Sequence, residues 1–333
     1  MNYLCGDFRG HRYSHVSQYI NKMVMPLWLS LAFCSAFLLG LYDVSKKEAL
    51  RDNAVIPVLF LNTLFSTIIF LPFLIDCIGG FGWFGSGLFD ITSAHEALEN
   101  PAQAHLFILG KAALVLSSWI SGYFGLKHLP ITIVGPINAT RPVLVLLGAM
   151  IFFGERLNLW QWAGVLLAIV SVFLLSRSSK KESIDFAHNR WILCLYISVL
   201  LGAASGLYDK FIMKRFEPIF VQTWYNLYQC IIMGTLMMVM WYPKRDSTTP
   251  FHWSWAIPAI SVLISAADFV YYTALAQPDS MISIISLVRR GAVIVSFLCG
   301  WLIFKEKNLK AKALDLALII LGMIFIYIGS REL

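Results

Sequence analysis

The chain is 333 residues long, 58% of them hydrophobic and 14% charged, and its mean hydropathy is +0.70. This composition excludes a water-soluble domain with a charged surface and indicates a polytopic membrane protein. The formal net charge of +7 comes from basic residues that flank or interrupt apolar runs, where they anchor membrane edges. We therefore expect the lipid bilayer as a partner and no nucleic acid.

A transmembrane helix needs about twenty mainly apolar residues, and ten segments of this chain meet that requirement. The predicted fold class is therefore an all-α polytopic membrane protein with ten transmembrane helices. In chain order the predicted spans are residues 27–47, 54–75, 105–126, 131–153, 157–175, 191–212, 218–241, 253–276, 281–304 and 311–328.

The segments outside the spans set the predicted domain boundaries. Residues 1–25 form a polar N-terminal tail, and no small-residue cleavage site follows the first apolar run, so we expect an uncleaved signal anchor. A charged linker at residues 177–190 divides the spans into two blocks of five, residues 26–176 and residues 191–333.

The two blocks share landmarks in the same order. The tetrapeptide Gly-Leu-Tyr-Asp occurs at residues 40–43 and again at residues 206–209, and Asn62 matches Asn226 in the following span. These matches indicate an internal duplication. Because each repeat has an odd number of spans, the second enters the membrane from the opposite side, which predicts two inverted five-helix repeats around a central cavity.

The fourth and fifth spans of each block carry a further match. They are separated by Gly-Glu-Arg at residues 154–156 in the first block and by Lys-Glu-Lys at residues 305–307 in the second. In each block an arginine lies near the middle of the preceding span: Arg141 in the first, Arg289 and Arg290 in the second.

With these repeats and hinges, the sequence resembles the drug/metabolite transporter superfamily, specifically its EamA-like two-repeat members. The resemblance implies a basket of helices whose central cavity is lined by both repeats, transport of small organic metabolites, and the plasma (inner) membrane as location. The sequence departs from the family pattern at residues 76–104. This segment contains no Lys or Arg, whereas family members often carry basic residues there. The resemblance implies a cytoplasmic N-terminus, whereas the distribution of Lys and Arg favours the opposite orientation.

Charged residues inside the predicted spans are the strongest candidates for a substrate site. Each costs about 2.5–3.5 kcal/mol to insert, so they should face protein or a watery cavity. We expect Arg141, Arg289 and Arg290 to bind an anionic group, because a guanidinium holds a carboxylate or phosphate bidentately. The alternative is an internal ion pair with Asp268. Lys111 either joins the cavity or extends to the membrane interface.

Neutral polar residues inside the spans are the second group of candidates. Asn62, Asn138, Asn226 and Tyr225 could donate and accept hydrogen bonds in a substrate cavity. Asparagines also join membrane helices for structural reasons, which remains the alternative interpretation.

Acidic residues and their neighbours are the candidates for coupling or gating. Asp268, Asp43, Asp209, Tyr42 and Tyr208 are assigned to this group. Asp43 and Asp209 are interpreted as gate or interface residues that pair with the lysines following them in sequence, and the alternative is that they carry protons as the coupling ion. An aspartyl-protease interpretation is disfavoured, because the equivalent aspartates of antiparallel helices should lie about 15–20 Å apart and Gly-x-Gly-Asp does not occur.

The hinges between the fourth and fifth spans of each block are the last group of candidates. We assign Gly154, Glu155 and Glu306 to them and expect each glutamate to form an ion pair with a nearby basic residue.

Cysteine and histidine spacing predicts neither a cofactor nor a metal. The six cysteines lie singly and mostly in apolar runs, as packing residues do. The histidines lie outside the span interiors, and no HExxH, GxSxG or phosphate-binding glycine loop occurs.

The function predicted from the sequence is a secondary transporter, an exporter of a small anionic or zwitterionic organic metabolite that works by alternating access. The alternatives are a membrane-embedded enzyme and a structural or sensory membrane subunit, in which residues 76–104 would form a docking surface. The sequence leaves the oligomeric state open.

Overall fold

The computed structural model describes residues 26–50, 53–84, 101–128, 137, 140–177, 190–292, 294–295, 298–299 and 309–331. All regular elements in this part of the chain are helical. Within it, four helices are long and apolar enough to cross a membrane, or five if one bent pair counts as a single span.

The first half contributes six helices to the described part of the chain. They are α1 (Leu27–Ala49), α2 (Val55–Ile69), α3 (Leu71–Gly79), α4 (Pro101–His128), α5 (Arg141–Phe153) and α6 (Leu159–Arg177). The second predicted span is therefore two helices, which bend by 54° at Phe70. Pro72 lies in the first turn of α3, where its missing N–H leaves the ladder of α2 uncontinued.

The second half contributes five helices. They are α7 (Arg190–Met213), α8 (Pro218–Leu236), α9 (Ala256–Ala276), α10 (Ile282–Arg290) and α11 (Leu309–Arg331). The prediction that residues 218–241 form one regular helix is wrong at its end, because a π turn at Met237–Trp241 and a 3-10 turn at Tyr242–Ser247 follow α8.

Each of the following helix contacts has a counterpart, in which both helices are replaced by the equivalent helices of the other half. Helix α1 packs on α9 and α10, and α7 packs on α4 and α5. Likewise, α2 contacts α9 and α8 contacts α4. Three further pairs, each made of two equivalent helices, are α2 with α8, α5 with α10 and α6 with α11. Exchanging the halves preserves these contacts, whereas the contacts of α9 with α7 and α8 have no counterpart of similar extent among the described residues.

The glycines of the two Gly-Leu-Tyr-Asp segments lie at equivalent helix contacts. A Cβ placed on Gly40 in α1 would lie 2.5 Å from the Val295 Cβ and 2.7 Å from the Ala292 carbonyl oxygen, just beyond α10. A Cβ on Gly206 in α7 would lie 3.8 Å from the Val145 side chain of α5. Each glycine therefore faces the arginine-bearing helix of the other half.

The distribution of side chains is that of a protein surrounded by lipid. Large apolar side chains at the ends of α5 and α6 are strongly exposed, including Ile151 at 75%, Phe152 at 74% and Leu159 at 88%. In contrast, Lys111 and Asp209 are buried. Buried charges enclosed by helices with apolar outer faces indicate an internal polar site.

Candidate functional site

A cavity of about 320 Å³ lies between α1, α4, α5, α7, α8, α9 and α10. Its charged lining residues are five basic and two acidic ones: Lys46, Lys111, Arg141, Arg289, Arg290, Asp209 and Asp268. Its aromatic lining residues are Tyr42, Trp119, Tyr225, Tyr271 and Tyr272. The cavity therefore collects most of the charged candidates that the sequence places in separate spans.

Lys111 of α4 and Asp209 of α7 form a buried ion pair across the cavity wall. The ammonium group also lies 4.5 Å from the ring centre of Tyr225 and 4.7 Å from that of Tyr272, within cation–π range. Lys111 is only 1% exposed, so the alternative that it extends to the membrane interface is wrong. The expectation that Asp209 pairs with a lysine near it in sequence is also wrong, since its partner lies 98 residues away.

Asp268 of α9 and Arg289 of α10 form the second ion pair, with 3.0 Å between Arg289 NH2 and Asp268 Oδ1. This confirms the prediction that a carboxylate inside the membrane pairs with a basic residue. Tyr271 joins the two pairs. Its hydroxyl donates to Asp209 Oδ2 at 3.3 Å, and its ring centre lies 4.0 Å from the Arg289 guanidinium carbon.

Arg141 lies at the start of α5 and packs against the backbone of α7. Its NH2 donates to the Gly202 carbonyl oxygen at 2.7 Å. A Cβ on Gly202 would lie 2.5 Å from the guanidinium carbon, so this approach requires glycine. Arg290 also lines the cavity, and it makes no hydrogen bond or ion pair with the residues that the structure describes.

Several predicted residues lie beside the cavity without lining it. Asn62 and Asn226 are buried in α2 and α8, and neither Asn62 Oδ1 nor Asn226 Nδ2 has a hydrogen-bond partner in the described part of the chain. Asn138 and Glu306 lie outside the described residues. Tyr225 does line the cavity, and its hydroxyl accepts a hydrogen bond from Gln229 Nε2 at 2.7 Å.

The two Tyr-Asp pairs have different environments. Tyr42 lines the cavity, with the Lys46 ammonium 5.5 Å from its ring centre, whereas Asp43 is exposed and does not line it. In the second pair the situation is reversed. Asp209 lines the cavity, while Tyr208 donates its hydroxyl to the Phe107 carbonyl oxygen at 3.2 Å.

A second group of polar contacts, here called the hinge cluster, consists of Glu155, Lys210, Ser280 and Ser283. The Glu155 carboxylate accepts hydrogen bonds from the backbone N–H of Ile282 at 2.7 Å and of Ser283 at 3.1 Å, and from the Ser283 hydroxyl. It thus caps the N-terminus of α10, where free N–H groups favour an anion. The predicted hinge ion pair is not formed with any residue that the structure describes.

Lys210 completes the hinge cluster from the end of α7. Its ammonium donates to the carbonyl oxygens of Leu275, at 3.2 Å, and Ser280, at 2.7 Å, and to the Ser280 hydroxyl. The α9–α10 connection is therefore held by side chains from two places, the α5–α6 hinge and α7. Gly154 at that hinge has a φ of 65°, which permits the chain to leave α5 in a left-handed conformation.

A second, mainly apolar cavity of about 490 Å³ adjoins the first. It is lined by the start of α2, the middle of α4 and the residues that follow α8. Trp119 lines both cavities. Within the described residues, no group of three or more His, Cys, Asp or Glu could hold a metal ion.

Sequence reasoning missed Tyr271, Tyr272, Trp119 and Gly202. Tyr271 is one turn beyond Asp268 on α9 and could have been found from that spacing. The sequence gives no comparable indication for Gly202, because the need for glycine there follows only from the position of the Arg141 guanidinium.

A model of the EamA-like transporter family matches residues 26–177 and 189–328. An uncharacterized transporter of Archaeoglobus fulgidus is 23% identical over 212 residues, which are 62% of this chain and 64% of the relative's length. A riboflavin transporter of Rhizobium johnstonii is 24% identical over 222 residues, 67% of this chain and 69% of that protein.

A protein of known crystal structure matches this chain with a TM-score of 0.65. The match covers 92% of this chain and 97% of that protein at 16% sequence identity, so it shows a shared fold.

Proposed function

Given that the chain belongs to the EamA-like transporter family and is an integral membrane transporter, we propose that it is a secondary transporter of a small organic anion or zwitterion. The observation that carries this proposal is the charge of the cavity, where five basic side chains oppose two acidic ones. An organic cation would be repelled there, while a carboxylate or phosphate would find guanidinium donors. Arg141, Arg289 and Arg290 are the proposed binding residues, with Lys111 and Tyr225 beside them.

The proposed architecture is ten spans in two inverted repeats, residues 26–176 and 191–333, joined by the linker at residues 177–190. Three observations support it: the matched Gly-Leu-Tyr-Asp segments, the most extensive helix contacts, which are preserved when the halves are exchanged, and the similar positions of Gly40 and Gly206. Alternating access follows from this architecture, because exchanging the conformations of two inverted halves moves the opening to the other membrane face.

The proposed gate is the hinge cluster, which fastens the N-terminus of α10 to the α5–α6 hinge. Lys46, near the end of α1, lines the cavity, and the apolar cavity beyond Trp119 is lined by the start of α2. In the proposed topology these residues lie toward the membrane face opposite the hinge cluster, and we propose that the cavity opens at that face. Protons are the proposed coupling ion and Asp209 their proposed carrier, since its buried carboxylate pairs with Lys111 of the other half and accepts the Tyr271 hydroxyl. Export across the plasma (inner) membrane is the proposed direction.

The decisive experiment is uptake into liposomes that contain the purified protein. A set of labelled organic anions, zwitterions and cations is offered, with riboflavin included because one relative is a riboflavin transporter. Accumulation of anions or zwitterions above protein-free liposomes is expected. Flux of cations alone would refute the proposal, and chemical conversion of a compound without flux would favour a membrane-embedded enzyme. Binding without flux or conversion would favour a structural or sensory subunit.

A further inference from the structure

Most charges around the cavity are balanced by a partner. Lys111 is paired with Asp209, and Arg289 is paired with Asp268 at 3.0 Å. Lys46 lies one helical turn after Asp43 on α1, so their side chains share a helix face. After this balance, two positive charges remain on the lining residues.

Asp43 also interacts electrostatically with Arg290, and Arg141 and Arg290 are the two lining guanidinium groups without an ion pair to a described carboxylate. Arg141 donates one hydrogen bond, to the Gly202 carbonyl oxygen, and a guanidinium has five N–H donors. Arg290 has no hydrogen bond or ion pair with a described residue. Both forks therefore keep donors for a ligand.

Two unbalanced like charges in a protein interior repel each other, and an anion that contacts both relieves that repulsion. A single negative charge would leave one guanidinium unbalanced. We infer that the substrate is a small divalent oxyanion, either a dicarboxylate or a phosphate monoester, held between Arg141 and Arg290. The cavity of about 320 Å³ restricts it to a small metabolite. This inference rests on the proposed function and specifies its anion.

The test compares anions that differ in charge and little in size. Succinate is compared with butyrate, and methyl phosphate with dimethyl phosphate, at pH 7.5 and constant ionic strength, by calorimetry on the full-length protein in detergent. The divalent member of one pair is expected to bind at least about tenfold more tightly than its monovalent analogue. Preference for succinate alone identifies a dicarboxylate, and preference for methyl phosphate alone identifies a phosphate monoester.

Variants connect the preference to the two arginines. Arg141→Gln and Arg290→Gln each remove one charge, so each should reduce the divalent preference to about twofold or less. Arg245→Gln is the matched control, because Arg245 is 52% exposed and lies in the turn after α8, outside the cavity. It should keep the preference of the wild-type protein.

A measurement on the wild-type protein covers the case in which an arginine variant does not fold. The second ionisation of a phosphate monoester lies near pH 6, so methyl phosphate becomes monovalent as the pH falls to 5. Its affinity should then fall toward that of dimethyl phosphate, whose charge does not change, while the affinity of dimethyl phosphate stays level.

Two results overturn the inference and are distinguishable. Equal binding of monovalent and divalent analogues refutes a divalent substrate, while liposome uptake of monovalent anions would leave the proposed function standing. Absence of both anion binding and anion uptake refutes the inference and the proposed function together.

Discussion

At the scale of single residues, Tyr271 connects the two ion pairs of the cavity. Its hydroxyl contacts Asp209 and its ring covers the Arg289 guanidinium. Four charged side chains and one tyrosine thus form one network along the wall of the cavity. In such a network, the loss of one member leaves its partner with an unbalanced charge.

The first prediction concerns the Lys111–Asp209 pair. Asp209→Asn should destabilise the protein by about 3–5 kcal/mol, because the buried ammonium loses its counter-charge. The double variant Lys111→Met with Asp209→Asn should recover most of that loss and remain inactive in transport. Thermal unfolding in detergent and liposome uptake measure the two effects. A single variant as stable as the wild type would show that the pair is not energetically coupled.

The second prediction concerns Gly202. Gly202→Ala should displace the Arg141 guanidinium, since the added Cβ would lie 2.5 Å from its central carbon. Anion affinity should fall by about tenfold or more, as expected when a charge-assisted hydrogen bond is lost. Gly206→Ala is the matched control on the same helix, because its Cβ meets only Val145 at 3.8 Å. Equal affinities for the two variants would contradict the role given to Gly202.

Sequence alone could predict one ion pair of the two. The pairing of Asp268 with a basic residue followed from the cost of an isolated charge in the membrane. The Lys111–Asp209 pair could not be found in this way, because it joins residues 98 positions apart and depends on how α4 packs on α7.

At the scale of elements, the N-terminus of α10 is capped by a side chain from another part of the chain. Glu155 lies 127 residues before Ile282, whose N–H it accepts. The Gly-Glu-Arg segment, recognised in sequence as a hinge, therefore also fixes the position of the helix that carries Arg289 and Arg290.

The third prediction follows from this cap. Glu155→Gln removes the charge and one of the two carboxylate acceptors, so it should reduce stability by about 1–3 kcal/mol. Glu217→Gln is the control, because Glu217 precedes α8 without a side-chain cap hydrogen bond. The unfolding temperatures of the two variants are compared. Equal unfolding temperatures for Glu155→Gln and Glu217→Gln would mean that the cap contributes nothing to stability.

Helix ends were harder to predict than helix positions. Apolar runs located the elements, because lipid imposes the same length requirement on each span. The bend at Phe70 and the π turn after α8 break apolar runs that show no change in hydropathy. Pro72 marks the first of these breaks, and Pro243 follows the second, in the 3-10 turn after the π turn.

At the scale of the whole molecule, the duplicated pattern of landmarks in the sequence corresponds to the most extensive helix contacts, which are preserved when the halves are exchanged. That correspondence was predictable, since matched segments place matched helices. The asymmetry of the site was not predictable from the repeats, because Tyr42 and Asp209 line the cavity while their equivalents, Tyr208 and Asp43, do not.

The fourth prediction tests the proposed ten-span topology. Arg156, after α5, and Ser247, after α8, are both exposed, and the proposal puts them on opposite membrane faces. Single cysteines at these positions in a cysteine-free background should react with a membrane-impermeant thiol reagent from opposite sides of oriented vesicles. Reaction of both from the same side would rule out inverted repeats.

The two ion pairs differ in which parts of the chain they join. Asp268 and Arg289 both belong to the second half, so their pair travels with that half as a unit. Lys111 and Asp209 come from different halves, and their pair must stretch or turn whenever the halves shift relative to each other. Its electrostatic energy therefore changes with conformation, while that of the other pair stays nearly constant. In the proposed alternating-access cycle, the difference in energy of this one buried ion pair between the two conformations therefore contributes to how unequally they are populated in the empty protein.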